Sequence, residues 1–280
     1  MEKKYELTKT TKNFVHMAQE ITLYQIRALK SFENIKKGEL GGWVESEENL
    51  SQEGTSWVSE NGKIFGHAEV YGRAKVFGDA IISGHAKVYE DAMVYDNAHV
   101  YGDALLLGYA HVHGYAKVYG NAAVVGGANV RGKTKVYGDA KICGKAFIRD
   151  NAEISDSCTI TVTSDYFVIG PIGSENDSTT FYKSDSGISV SCGCFYGTLE
   201  KFERKVKDRH HGTKYENQYL AAIVCAKSML RHTQINNVKD FTNGGEKIQP
   251  ILASIFLILQ ASSTEESMDG LPCFFCGKSI

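Results

Sequence analysis

Small and aliphatic residues recur at fixed places in a six-residue period between Gly54 and Thr161. The stretch divides without a gap into eighteen hexads of the form Gly-(Asp/Asn/His)-Ala-x-Val-(Tyr), for example Gly66-His67-Ala68-Glu69-Val70-Tyr71 and Gly72-Arg73-Ala74-Lys75-Val76-Phe77. The fifth place is Val or Ile in seventeen hexads and Leu106 in the other. The third is Ala in fourteen, with Ser56, Gly62, Thr134 and Cys158 as small substitutes. Residues two apart in a strand point to the same side, so the third and fifth places of each hexad face inward together. The glycine and the polar residue after it supply a corner, because both tolerate the backbone angles of a tight turn. Strand plus corner winds a coil, and three hexads bring the chain back above its start. Successive coils then stack at roughly 4.8 Å in parallel register. The pattern predicts a mainly β protein, a parallel β-helix of about six coils some 29 Å tall, around a continuous Val/Ile/Ala shaft.

The flanks break the period. Residues 1–53 read as an N-terminal cap, polar outside, with strand-like alternation over Ile21–Leu29 and a turn at Gly38–Val44 leading into the first coil. Residues 162–235 read as a small α+β domain. Its strand-like runs are Asp165–Gly173, Ser178–Lys183 and Gly187–Cys194. A helix over Leu199–His210 follows the N-cap Thr198, buries Leu199, Phe202 and Val206, and stops at Gly212. A second helix over Tyr215–Arg231 carries Tyr219, Leu220, Ile223, Val224 and Leu230 on its apolar stripe. Residues 236–280 have no regular pattern and read as a tail.

The aliphatic-plus-small hexad resembles the repeat of hexapeptide-repeat proteins, which are single-stranded left-handed parallel β-helices best known as acyltransferases. The likeness covers 54–161, and it implies a left-handed coil and a homotrimer. The run Leu40-Gly41-Gly42-Trp43-Val44, followed by Asn49-Leu50-Ser51, is similar to the opening segment of bacterial and phage members that carry a transferase label. The stretch Ser-Cys-Gly-Cys-Phe-x-Gly-Thr-Leu-Glu-x-Phe (Ser191 to Phe202), with Tyr215 and Tyr219–Ile223 beyond it, resembles a C-terminal module of phage and prophage proteins. The resemblance therefore implies a phage setting, with a host protein or a small nucleotide as the bound partner.

Composition narrows the classes. Among 280 residues, Lys+Arg total 31 against Asp+Glu 33, which gives no strong nucleic-acid signal. Glycine (28) without proline (3) fits spaced corners better than a flexible linker. The longest apolar run, Ile251–Leu259, is about half of a bilayer-spanning helix, so no membrane association is expected. The N-terminus lacks a signal-peptide core, and seven cysteines form no disulfide framework. The expectation is a cytoplasmic protein.

A period of eighteen sets outer residues in vertical files. One corner file reads His67, His85, Asp103, Asn121, Asp139, Ser157. A histidine one layer from Asp103 has the makings of an oriented general base, and hexapeptide acyltransferases use a histidine this way. That alternative assigns catalysis to His67, His85 and Asp103 with acetyl-CoA or another acyl-CoA as cofactor. Against it, a corner accepts any polar residue, and no loop interrupts the hexads to wall a donor site. His99, His111 and His113 occupy outward places and are expected to be solvated. A second file sets Tyr101, Tyr119 and Tyr137 on one outer face beside Lys117, Lys135 and His99. Tyr71 with Tyr89, and Phe77 with Tyr95, begin similar files on the other faces. Aromatic stripes on a rigid scaffold mark contact surfaces for a second copy, for the C-terminal domain or for a ligand. Cys192 and Cys194 with Cys273 and Cys276 offer four thiolates for zinc, on spacing too weak to assign a site, and Cys192 with His210 or His211 forms at most an unsupported nucleophile–base pair. The sequence thus favours a non-catalytic binding or scaffold protein, oligomeric, with no cofactor and no metal.

Overall fold

The computed structural model describes residues 2–16, 18–155 and 157–230. Eighteen two-residue rungs run from Trp57–Val58 to Thr159–Ile160 and stack into three parallel sheets, a mainly β solenoid of about six turns. Pairing follows the period of eighteen: His99 lies on Lys117 and Val100 on Val118, then Lys117 on Lys135 and Val118 on Val136. Each coil donates to the next, as in the 3.0 Å bond from Tyr101 N–H to the Val118 carbonyl. The inward third and fifth places are fully buried along the stack, from Val58 and Ala68 to Ala152 and Ile160. They form one core cluster.

The corners explain where the glycine rule is relaxed. First-place glycines have positive φ, and a Cβ at Gly72 would sit 2.9 Å from the backbone nitrogen of Glu90 in the next coil. Acidic residues nevertheless hold this place at Glu60, Glu90 and Asp96, with φ of 56°, 56° and 57°. Their carboxylates accept the next coil's corner N–H, Glu60 from Gly78, Glu90 from Gly108 and Asp96 from Gly114. That bond offsets the strain of a side chain in the left-handed region.

Parallel stacking begins earlier than the hexads. β1 (Tyr5–His16) and β2 (Gln19–Ala28) form an antiparallel hairpin, β2 pairs with β3 (Leu40–Val44), and β3 lies parallel to the Lys63–Ile64 rung. Val44 pairs with Ile64 and Leu50 with Val70, each twenty residues apart instead of eighteen. Two extra residues before Val58 shift the phase and hide these rungs from a strict hexad reading. The surface the cap turns to the shaft is apolar: Tyr5, Ile26 and Ala28 join the solenoid core. Lys4 is buried beside them, its Nζ donating to the carbonyls of Ser56 (2.8 Å) and Glu53 (3.3 Å). Burial, then the charges of Lys75 and Lys30, pulls this ammonium down to about 8.

At the other end, Tyr166 and Tyr182 complete the same core. Tyr166 lies in β4 (Tyr166–Ile172), and β5 (Asp177–Ser184) carries Tyr182; β6 (Gly187–Cys192) and β7 (Phe195–Thr198) finish an antiparallel sheet. The last coils find their hydrogen-bond partners here. Glu153 N–H donates to Thr180 Oγ1 (3.0 Å), and Asp165 Oδ2 accepts Thr161 N–H (2.9 Å) and Val162 N–H (3.1 Å). α1 (Leu199–His210) and α2 (Lys214–Leu230) then pack on the sheet, with Thr198 capping α1 by accepting the Lys201 N–H. Their buried stripe is Leu199, Phe202, Val206, Tyr219, Ala222, Ile223, Ala226 and Leu230, against Phe181, Ile188 and Val190. The run expected as one strand through Cys194 turns at Gly193, whose φ is 55°, so that Phe195–Thr198 returns as a fourth strand. The expected tail, 236–280, lies outside the described residues.

Candidate functional site: an aromatic file on one face of the solenoid

One of the three solenoid faces is bounded at both ends by the protein's own chain. Its sixth-place file reads Phe65, Ser83, Tyr101, Tyr119, Tyr137, Ser155. At the N-terminal end, Phe14 and Ile21 of the hairpin pack with Leu23 and Trp43 over the outward side chains of Phe65 and Ile81. At the C-terminal end, Ser155 is buried under Tyr182, with Oγ and OH 3.2 Å apart. The three tyrosines lie between these covers.

Stacking at the strand spacing fixes their geometry. Tyr101 and Tyr119 have ring centroids 4.8 Å apart and planes within 2°; Tyr119 and Tyr137 are 5.0 Å apart and within 3°. Each ring shields its neighbours, so the tyrosines are half-buried rather than fully exposed as the outward period alone suggests. Burial first, then the neighbouring Tyr101, Tyr137 and Glu153, pushes the Tyr119 phenol up to about 12. The phenol is therefore protonated at neutral pH and able to donate a hydrogen bond.

The flanking charges divide into spent and available ones. Lys135 hydrogen-bonds Glu153, which also accepts from Ser191 of β6. Lys117, one coil below, is exposed and makes no ion pair among the described residues. His99 is half-buried, and burial, then Lys117, His16 and Lys63, holds its imidazole below the ordinary range. The structure thus brings Tyr101, Tyr119, Tyr137, Lys117, Lys135 and His99 to one face, and adds His16 from the hairpin, which no spacing rule connects to it.

The corner histidines form a different arrangement. His67 and His85 stack face to face, centroids 4.8 Å apart at 15°, and both are exposed. Among the described residues no hydrogen bond or ion pair joins His85 to Asp103; the polar link in this file is Asn121 to Asp139, 2.9 Å. His113 is more enclosed than its outward place suggests. It stacks on Tyr95 at 4.5 Å, extending the Phe77–Tyr95 file, and its Nε2 lies 3.2 Å from Asn129 Oδ1. A hollow of about 190 Å³ at the foot of that file is lined by Glu33, Trp57, Lys75 and Phe77, and Lys75 there is paired with Glu33.

The cysteine readings gain no geometry. Among the described residues no cluster of His, Cys, Asp or Glu suits a metal ion, and Cys273 and Cys276 lie outside them. The Cys192 thiol lies 3.1 Å from Thr179 Oγ1 and 3.8 Å from the Tyr219 hydroxyl, not against His210 or the exposed His211. No described helix is long and apolar enough to cross a membrane.

No protein-family model matches the chain, and no curated protein matches it.

Proposed function

We propose that this is a non-catalytic binding scaffold whose working surface is the face bearing Tyr101, Tyr119 and Tyr137. The observation that carries the reading is the ladder itself, three parallel rings held in register on a rigid sheet beside an unpaired lysine. Rigid aromatics lose little conformational entropy on binding and supply both apolar area and phenol donors. The hexapeptide-repeat likeness adds a homotrimer, and the phage likeness of the C-terminal module adds the partner class, a host protein or a small nucleotide.

Co-purification from the native host, analysed for protein and for small molecules, tests this. The wild type is expected to retain a stoichiometric partner, and the Tyr119→Ala/Tyr137→Ala variant to lose it without unfolding. Equal retention by both proteins sinks the proposal. So does consumption of acetyl-CoA in the presence of an amine or sugar acceptor that His85→Ala abolishes, because that result places the chemistry on the corner file.

A further inference from the structure

Positive charge collects beside the tyrosine ladder without a partner. The fourth-place file of this face climbs from Lys63 through Ile81, His99, Lys117 and Lys135 to Glu153. Tyr101 stands two residues beyond His99, and Tyr119 two beyond Lys117, so each pair points to the same side of the sheet. The four side chains form a patch roughly 6.6 Å along the strand and 4.8 Å up the stack. His16 of the hairpin and Lys63 add positive charge from the side of the N-terminal cap.

The carboxylates around this face are turned to other groups. Glu153 holds Lys135 and accepts from Ser191, Glu45 accepts the Gly66 N–H (2.7 Å), and Asp96 accepts the Gly114 N–H (3.1 Å). Asp79 acts on Lys63, whose Nζ is bonded to the Asn61 carbonyl (2.8 Å). Asp103, at the corner beyond Tyr101, makes no ion pair among the described residues. Nor do the side chains of Lys117, His99, Tyr101 and Tyr119 make a hydrogen bond among them. The half-buried His99 ring shows the consequence. After burial, the charges that act on it are all positive, Lys117, His16 and Lys63 in turn, and they hold its imidazole below the ordinary range. Burial, by contrast, pushes the phenols of Tyr101 and Tyr119 up, so both keep a proton to donate. Cations surrounded by donors, with no carboxylate among them, are complementary to an anion.

We infer that His99, Lys117, Tyr101 and Tyr119 form a seat for a phosphoryl group. A phosphate ester carries close to two negative charges near neutral pH and three acceptor oxygens. It can meet an ammonium, an imidazole and two phenols together, where a carboxylate brings one charge and two oxygens. Its charge also offsets the repulsion that keeps a proton off His99. Protonation of His99 and binding of the anion therefore strengthen one another, and each reports the other. The inference deepens the binding-scaffold reading and rests on it. It names the ligand's chemistry, a phosphate-bearing small molecule whose charged group lies beside the ladder.

Imidazole NMR of the full chain, titrated with pH in sodium phosphate and in sodium chloride of equal ionic strength, tests the seat. His99→Gln assigns the signal. Phosphate is expected to move the His99 midpoint upward beyond chloride, and sodium acetate to move it no further than chloride does. Calorimetric titration then compares inorganic phosphate with adenosine 5′-monophosphate. Tighter binding of the nucleotide assigns a phosphate ester whose base adds to the contact, and equal or weaker binding assigns free phosphate; either supports the seat. Lys117→Gln changes an exposed side chain and is expected to weaken phosphate at least about fivefold. Equal midpoints in phosphate and chloride, an equal rise in acetate, or wild-type phosphate affinity in Lys117→Gln overturns the seat. Co-purification with the Tyr119→Ala/Tyr137→Ala variant separates the two ideas. A native partner lost by that variant, while phosphate leaves His99 of the wild type unmoved, overturns the seat and keeps the ladder. The phosphate response in the wild type, with the partner kept by the variant, overturns the ladder and keeps the seat.

Discussion

The solenoid and the C-terminal module bury their apolar residues by opposite means. In the solenoid each inward residue rests on its own counterpart, Val100 on Val118 on Val136, so every layer repeats the previous contact. In the module each contact occurs once: Phe202 meets Phe181 edge-on at 6.1 Å, Phe195 at 5.1 Å and Tyr219 at 5.5 Å. Repetition has a consequence that single contacts lack. Once the inner places are in register, the outer places are in register too, and a tyrosine chosen three times at one place becomes a ladder. The module gives no such surface, but it ends the stack, satisfying the last rungs through Thr180 and Asp165.

The comparison breaks most sharply at Val118. Val118→Asp places an unpaired carboxyl in the fully buried shaft between Val100 and Val136, and is expected to cost about 4 kcal/mol or more. Denaturant unfolding followed by circular dichroism measures it, and a loss below about 1 kcal/mol contradicts a dry shaft. Phe202→Ala in the module is expected to cost about 3–4 kcal/mol, felt locally. Hydrogen exchange should show lost protection in α1, α2 and β6 while rungs such as Val76 and Val94 keep theirs. Equal loss in both regions means that the two kinds of packing unfold as one.

A smaller effect sits at the junction. Burial pushes the Asp165 carboxyl up, but the hydrogen bonds from Lys183, Thr161 and Val162 outweigh it and hold it at about 2, against an ordinary 3.8. Asp165 is 6% exposed, so the difference converts to about 2 kcal/mol. Because the folded form binds the proton less readily, this contribution is complete above about pH 4 and fades as pH falls toward 2. Stability measured from pH 5 to 2 should show the step in the wild type and lose it in Asp165→Asn. An unchanged pH profile in the variant removes Asp165 from the junction.

The same contrast explains what the sequence disclosed. The solenoid was legible to the residue because eighteen copies of one pattern vote for one register, and the ladder at Tyr101, Tyr119 and Tyr137 followed from counting by eighteen. The two helices and the Thr198 cap were legible from apolar spacing and capping chemistry. What escaped depended on contacts made once. The rungs at Val44 and Leu50 were hidden by a two-residue phase shift, and the return strand Phe195–Thr198 by a turn at Gly193. Buried Lys4 is held by the carbonyls of residues about fifty positions away, which no local pattern records. His16 reaches this face only because the hairpin folds over Phe65, a contact no spacing rule records.

Val118 and Tyr119 are consecutive residues on opposite sides of one sheet, one filling the shaft and the other standing in the outer file to which the proposed function assigns the partner. Purifying Tyr119→Ala/Tyr137→Ala beside the wild type and weighing both by native mass spectrometry tests that division most directly. The account predicts a wild-type protein carrying a stoichiometric bound mass, and a folded variant of the same thermal stability within a few degrees that has lost it. The same bound mass on both proteins, or none on either, contradicts it.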